Sequence, residues 1–148
     1  MNETNPQTLA EECAKAMFAR DRASQKLGMY IESVGPGKAV ITMTVTGDMI
    51  QGHGSCHGGY IFTLADSAFA FAANSYDRIT VASGCSIDFI RGAKEGDRLT
   101  ATAVEQARGG RNGVYDITLT NQDGRKVALF RGRSYQVSGT VRNSEETV

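Results

Sequence analysis

Net charge is absent: 16 Lys+Arg stand against 16 Asp+Glu. Without bulk positive charge, nucleic-acid binding driven by phosphate contacts is not expected. Low net charge also favours self-association. Cysteines are few and odd in number, and Cys13, Cys56 and Cys85 form no CxxC. That argues against a disulfide framework and predicts reduced thiols in a cytoplasmic protein. Only two histidines occur, and no acidic cluster flanks His53 or His57. No metal is therefore expected. Phosphate-binding patterns of the GxxxxGK[ST] or strand-placed GxGxxG type are missing, and no cofactor is expected. No signal-peptide pattern and no apolar run long enough to span a bilayer is visible, so no membrane role is expected. Internal repeats and low-complexity stretches are also lacking.

What is present is ordinary in amount. A chain of 148 residues, 41% hydrophobic and 22% charged, makes one domain that buries about 68–70% of its unfolded surface. Met1 to Gln7 reads as frayed. Thr8 is a candidate cap for a helix running to Arg20, with Glu11 at the capping-box position. Asp21 caps a second short turn that ends at Gly28. Met29–Val34 and Lys38–Thr46 alternate and flank Gly35-Pro36-Gly37, which predicts a hairpin. Four more strand patterns follow residue 78: Ile79–Ile90, bent or bulged at Gly84; Arg98–Ala107; Val114–Asn121; and Lys126–Val137. Asp123-Gly124 closes the last hairpin.

Between these halves lies His57–Asn74, HGGYIFTLADSAFAFAAN. Its apolar residues go round the whole helical wheel, which predicts a buried helix. Thr63, Asp66, Ser67 and Asn74 fall on one narrow polar stripe, and Asp66 is its only ionisable group. A buried carboxylate is costly unless satisfied, and hydroxyls and backbone donors are one way to satisfy it. The glycine pair Gly58-Gly59 favours a second reading. It lets a ligand approach the first amides of the helix, which lack internal partners and carry the positive end of the dipole. Oxyanion donors plus a carboxylate suit acyl transfer or hydrolysis. Cys56 beside His57 is disfavoured as a nucleophile pair, since adjacent side chains rarely aim at one another.

The order is helix, two strands, long helix, four strands, which predicts an α+β protein with an antiparallel sheet. One curved sheet covers such a helix only in part, so a second copy is expected to complete the burial. Gly58 and Asp66 are eight residues apart, about 12 Å along a helix. No single carbonyl lies close to both within one chain. Two such helices antiparallel across a two-fold axis would bring Asp66 of one chain to Gly58 of the other.

That order, with the helix opened by HGG, resembles the hotdog fold, a curved antiparallel β-sheet wrapped round a central helix. Three blocks, GHGSCHGGYIFTLADSAFAFAANS, VASGCSIDFIRGAKEGD and GVYDITLTNQDGRKVALFRGRS, are similar to the PaaI-type acyl-CoA thioesterases of phenylacetic acid degradation. The resemblance covers nearly the whole chain. It implies an N-terminal helical segment at 1–28, a hotdog thioesterase domain at 29–138 and a mobile tail at 139–148. It further implies hydrolysis of (hydroxy)phenylacetyl-CoA or a similar aryl or small acyl-CoA, in a homodimer assembled into a homotetramer.

For the site, the resemblance implies that the Gly58 amide polarises the thioester carbonyl. Asp66 acts as general base or nucleophile, Ser67 helps place the water and His57 shapes the glycine loop. Ser86, on the strand after the helix, matches a serine that assists the water. Family members carry Asn six residues before the histidine, where this chain has Gln51, which keeps the amide and adds a methylene. Arg91, Arg131 and Arg133 are the candidates for CoA phosphates. Two rival functions fit the same fold, a hotdog dehydratase or hydratase and a non-catalytic acyl-CoA-binding regulator. The LADS block favours the thioesterase over the first, and Asp66 argues against the second.

Overall fold

The computed structural model describes residues 4–143. The helices are α1 (Pro6–Arg20), α2 (Arg22–Lys26) and α3 (Gly58–Ala73). The strands are β1 (Tyr30–Gly35), β2 (Lys38–Thr44), β3 (Thr80–Phe89), β4 (Arg98–Gly109), β5 (Asn112–Thr120) and β6 (Lys126–Gln136). All six strands form one sheet in the order β1-β2-β4-β5-β6-β3, and each neighbouring pair is antiparallel. The expected hotdog architecture is what forms.

The N-terminus differs from expectation. The α1 cap is Asn5, not Thr8: its side chain accepts from the amides of Gln7 and Thr8, and Pro6 takes the first helical position. Proline suits that position because its missing N–H has no partner there anyway. Gln7 is ordered, since its amide donates to the Val34 carbonyl at 2.6 Å. Asp21 caps α2 as expected, accepting from the Ser24 amide at 2.9 Å.

Alternation along the strands sets two faces. Ile41 and Met43 of β2, Leu99, Ala101 and Ala103 of β4, and Tyr115, Ile117 and Leu119 of β5 point inward and are buried. Onto them α3 lays Ile61, Leu64, Ala65, Ala68, Phe69, Phe71 and Ala72. Each large member contributes about 1.5–3 kcal/mol by leaving water. The small residues let the helix sit close to the sheet. At Gly132 of β6, an added Cβ would stand 2.7 Å from the Phe69 ring. Phe69 also packs on Tyr115 and Phe130, with ring centroids 5.6 and 6.0 Å apart.

Burial of α3 is one-sided, as expected of a helix that one curved sheet covers only in part. Gly59 and Asp66 are exposed, and Phe62, Thr63, Ser67 and Ala70 are half-buried. One sheet covers one side of a helix, so the polar stripe becomes the open side. β3 shares this openness. It lies at the edge of the sheet, and none of its residues is buried. Val81 and Phe89 are 42% and 53% exposed, and Ile90 just beyond is 56% exposed. The bulge expected at Gly84 is present, between Ala82 and Gly84.

The segment after β6 folds back on the domain. Val141 is buried, and Arg142 bonds Asp77 and Glu12. Gly139, Val141 and Arg142 fall within the stretch expected to be tail, and residues 144–148 lie outside the described ones.

Candidate active site

The loop before α3 is pinned at its end. The amides of Cys56 and His57 donate to the carbonyls of Ala93 and Met49, both at 2.7 Å. This fixes His57 as the α3 cap, where its Nδ1 accepts from the Gly59 amide at 3.0 Å. An accepting Nδ1 places the proton of the neutral ring on Nε2. The His57 carbonyl accepts from the Tyr60 amide at 3.0 Å. Gly58 is left over: its N–H meets no acceptor among the described residues. It is thus a free donor at the positive end of the helix. The Phe89 ring closes over it, 3.1 Å from where a Gly58 Cβ would stand.

Gln51 does not point at this amide. Its Nε2 donates to Ser55 Oγ at 2.7 Å, and its Oε1 accepts from the His53 amide. Both ends of the side-chain amide are thereby engaged inside the loop. Cys56 is buried, and its thiol points to the His57 carbonyl at 3.6 Å. Burial, then the charge of Asp97, raises its pKa. Both disfavour the thiolate that a nucleophile needs.

Two turns into α3, Asp66 borders a shallow hollow between Phe69, Ala70 and Ala73 of the helix and Thr80, Val81 and Ala82 of β3. It makes no hydrogen bond or ion pair among the described residues. It remains accessible to solvent, yet the crowding strips enough water to raise its pKa, and the negative charge of Asp21 adds to the rise. Ser67 turns the other way. Its Oγ lies 2.9 Å from Ser24 Oγ, which donates to Asp21 Oδ2 at 2.6 Å.

The remaining candidates lie apart from these. Ser86 stands opposite Arg131 in the β3–β6 ladder, on the sheet face turned away from α3. Arg131 forks onto Asp116 through two bonds of 2.7 and 2.8 Å. Arg133 shares that outer face and leans over the bulge at Gly84. Arg91 is elsewhere: with Lys94 and Arg125 it borders a surface hollow next to Ser55, beside the loop that leads to α3.

A sequence profile described as the Thioesterase superfamily matches residues 53–128. The chain belongs to the thioesterase superfamily. It is 52% identical over 128 residues to the acyl-coenzyme A thioesterase PaaI of Escherichia coli, covering 86% of this chain and 91% of that protein. The solved structure of E. coli PaaI superposes with a TM-score of 0.91 at 49% identity, covering 92% of this chain and 99% of that one. A Streptococcus mutans protein bound to acetyl CoA matches at 0.73, with 28% identity, 75% of this chain and 90% of that one. A hypothetical thioesterase protein of Streptococcus pneumoniae with coenzyme A matches at 0.73, with 26% identity, 79% of this chain and 98% of that one.

The protein is therefore an acyl-CoA thioesterase of the PaaI type, as its HGG and LADSAFA segments imply. Sequence reasoning found the helix of this thioesterase but missed three of its surroundings. Asp21 was legible only as a cap, although the Asp21-x-x-Ser24 spacing marks a side chain facing back toward it. The roof that Phe89 makes over Gly58 left no trace in the pattern. Lys94 and Arg125 beside Arg91 also went unread, since Arg125 stands 31 positions after Lys94 in the chain.

Proposed function

We propose that this thioesterase hydrolyses (hydroxy)phenylacetyl-CoA, or a similar aryl or small acyl-CoA, to the free acid and CoA. One observation carries the reading. The Asp66 carboxylate lies unpartnered on the side of α3 that its own sheet leaves open, and the Gly58 amide at the start of the same helix also meets no acceptor among the described residues. A second copy facing that side completes a site from Gly58 of one chain and Asp66 of the other. The exposed apolar edge β3 is the surface for that homodimer, and two dimers make the tetramer.

In this site the Gly58 N–H polarises the thioester carbonyl and then holds the oxyanion. Asp66 takes a proton from water, and the water oxygen bonds the carbonyl carbon. Collapse of the tetrahedral intermediate breaks the C–S bond, and the CoA thiolate leaves with the electron pair. Burial and Asp21 make Asp66 more basic, which favours general base over nucleophile. His57 holds the glycine loop through Gly59. Phe89, beside Gly58, gives the acyl group an aromatic wall. This, with the origin of E. coli PaaI in a phenylacetic acid degradation operon, supports an arylacetyl substrate. Arg91, with Lys94 and Arg125, is the best-placed candidate for CoA phosphates. Arg131 is tied to Asp116, and Ser86 lies across the sheet, so neither reaches this site in its own chain. The three free thiols suit a reducing, cytoplasmic compartment.

Thiol release over a panel of acetyl-, butyryl-, benzoyl-, phenylacetyl- and hydroxyphenylacetyl-CoA tests the reading. Arylacetyl esters should give the highest kcat/KM. No release from any of them would overturn it.

A further inference from the structure

A second hollow lies at the far end of α3 from Gly58. It opens beside Ala73 and Tyr76, between the turn joining β4 to β5 and the end of β6. Ser134 of β6 lines it and is only 3% exposed. A serine set so deeply is costly unless its hydroxyl is bonded. Yet Ser134 Oγ meets no hydrogen-bond partner among the described residues. It is not sealed in, and the hollow is where it opens. Gly113 faces it across the β5–β6 ladder, where a Cβ would stand 2.7 Å from that oxygen.

The guanidinium groups of Arg78, Arg108 and Arg111 border the same hollow. Glu105 is the carboxylate beside them, and it is already engaged. The hydroxyls of Tyr76 and Tyr115 donate to it at 2.9 and 3.0 Å, and Arg108 pairs with it at 3.4 Å. Arg108 is anchored further by the Tyr76 ring, whose centroid lies 3.6 Å from its Cζ. Arg78 and Arg111 make no ion pair among the described residues. Three cations against one carboxylate leave an excess of positive charge here, in a chain whose net charge is zero. The nearby α3 carbonyls do not cancel it, since Ala70 and Ala72 accept from Asn74 Nδ2 and Ser75 Oγ.

We propose that this hollow is a binding site for a phosphate monoester, with one phosphate oxygen accepting from Ser134 Oγ inside and the others held at the mouth by Arg78, Arg108 and Arg111. The enclosed space, about 20 Å³, is room for one oxygen-sized group. Guanidinium forks match phosphate oxygens in pairs. A carboxylate that placed one oxygen inside would have only one left for three guanidiniums. Ala73 and Thr80 border both this hollow and the one beside Asp66. Ala73 stands seven positions after Asp66, about 10 Å along the helix. The same phosphate chemistry thus comes from the CoA arm of the substrate or from a free phosphorylated ligand.

Inorganic phosphate is the first ligand to test. Against chloride at equal ionic strength it should raise Tm and show saturable binding by phosphorus NMR. Arg111→Gln lies in the exposed β4–β5 turn, and Ser134→Ala removes only an unbonded oxygen, so both variants should fold. Each should weaken phosphate binding about tenfold, as for loss of one hydrogen bond to a charged group. Turnover of phenylacetyl-CoA and phenylacetyl-pantetheine then separates the two sources. If the CoA arm supplies the phosphate, inorganic phosphate competes with phenylacetyl-CoA. Arg111→Gln then raises KM for that substrate about tenfold and leaves phenylacetyl-pantetheine unchanged. If a free ligand supplies it, phosphate binds without competing and neither KM moves. Phosphate binding is read without turnover, so failure of the arylacetyl reading leaves the binding test intact. No saturable phosphate binding by the wild type, or equal binding by the wild type and both variants, would overturn the proposal.

Discussion

If each active site is shared between chains, two dead enzymes should rescue one another. Gly58→Pro deletes the free amide while suiting the first helical position. Asp66→Ala deletes the carboxylate. Within one chain the two positions lie about 12 Å apart along α3, too far for a short Asp side chain to bridge, so each site needs both chains. Each homodimer carries the same defect in both sites and should fall below about 1% of wild-type turnover, as for loss of a general base or an oxyanion donor. A heterodimer has one site with both groups intact and one with neither. Random pairing of equal amounts makes about half the dimers mixed, so about a quarter of wild-type activity should return. The proline ring must displace Phe89, whose ring lies 3.1 Å from a Cβ at this position. Gly58→Ala meets the same ring while keeping the amide, and it measures that steric effect alone. The assay is thiol release from phenylacetyl-CoA by co-expressed, differently tagged chains; purification through both tags keeps only mixed dimers and raises the expected return to about half. No activity in verified heterodimers would place the site within one chain and refute the two-fold arrangement.

Asp66→Asn should lower kcat at least about a hundredfold, and near-normal turnover in the folded variant would remove Asp66 from the mechanism. The same variant should be as stable as wild type or more so at neutral pH. Burial and Asp21 lift the Asp66 carboxyl above 3.8, so the folded chain holds that proton more tightly than the unfolded one. Stability from this group is then full below 3.8 and is lost as pH rises through the higher folded pKa. The advantage of Asn, followed by urea denaturation across pH, should shrink toward acid, and an advantage that grows there would reverse the sign. Gly132→Ala should cost about 1–3 kcal/mol by overpacking the Phe69 ring, and a urea midpoint equal to wild type would show that the ring yields freely.

Much of this architecture was legible because local chemistry and final position agree. Glycine in a strand marked the bulge at Gly84. The turn glycines marked both hairpins, and the HGG opening marked the start of α3. The apolar wheel of α3 marked the helix, and the need for a second cover followed from what one sheet can reach. Periodicity counts apolar side chains and cannot tell which are covered by the same chain and which await another. The cap at Asn5 was missed because Thr8 with Glu11 has the stronger local pattern, whereas Pro6 settles the start sterically. The tie from Asp21 through Ser24 to Ser67 joins elements far apart in sequence, and no window along the chain contains it. Ser86 shows the converse limit. Alternation puts it on one of two faces, and only its register against Arg131 says which.

The place of β3 also has a consequence in time. This strand leaves the helix early in the chain, yet its one partner in the sheet is β6, the last strand made. The other strands can pair through nearer neighbours: β1 with β2, and β4 with β5. Until residues 126–136 are available, β3 has no ladder to join, and Val81, Phe89 and Ile90 have no neighbours from that side. A nascent or truncated chain ending before β6 therefore carries an unpaired apolar strand beside a half-covered helix, the kind of species that aggregates before it folds. Closing the sheet is a late, long-range event, and the Phe89 roof over Gly58 depends on it. The oxyanion corner is thus among the last parts of the molecule to take shape.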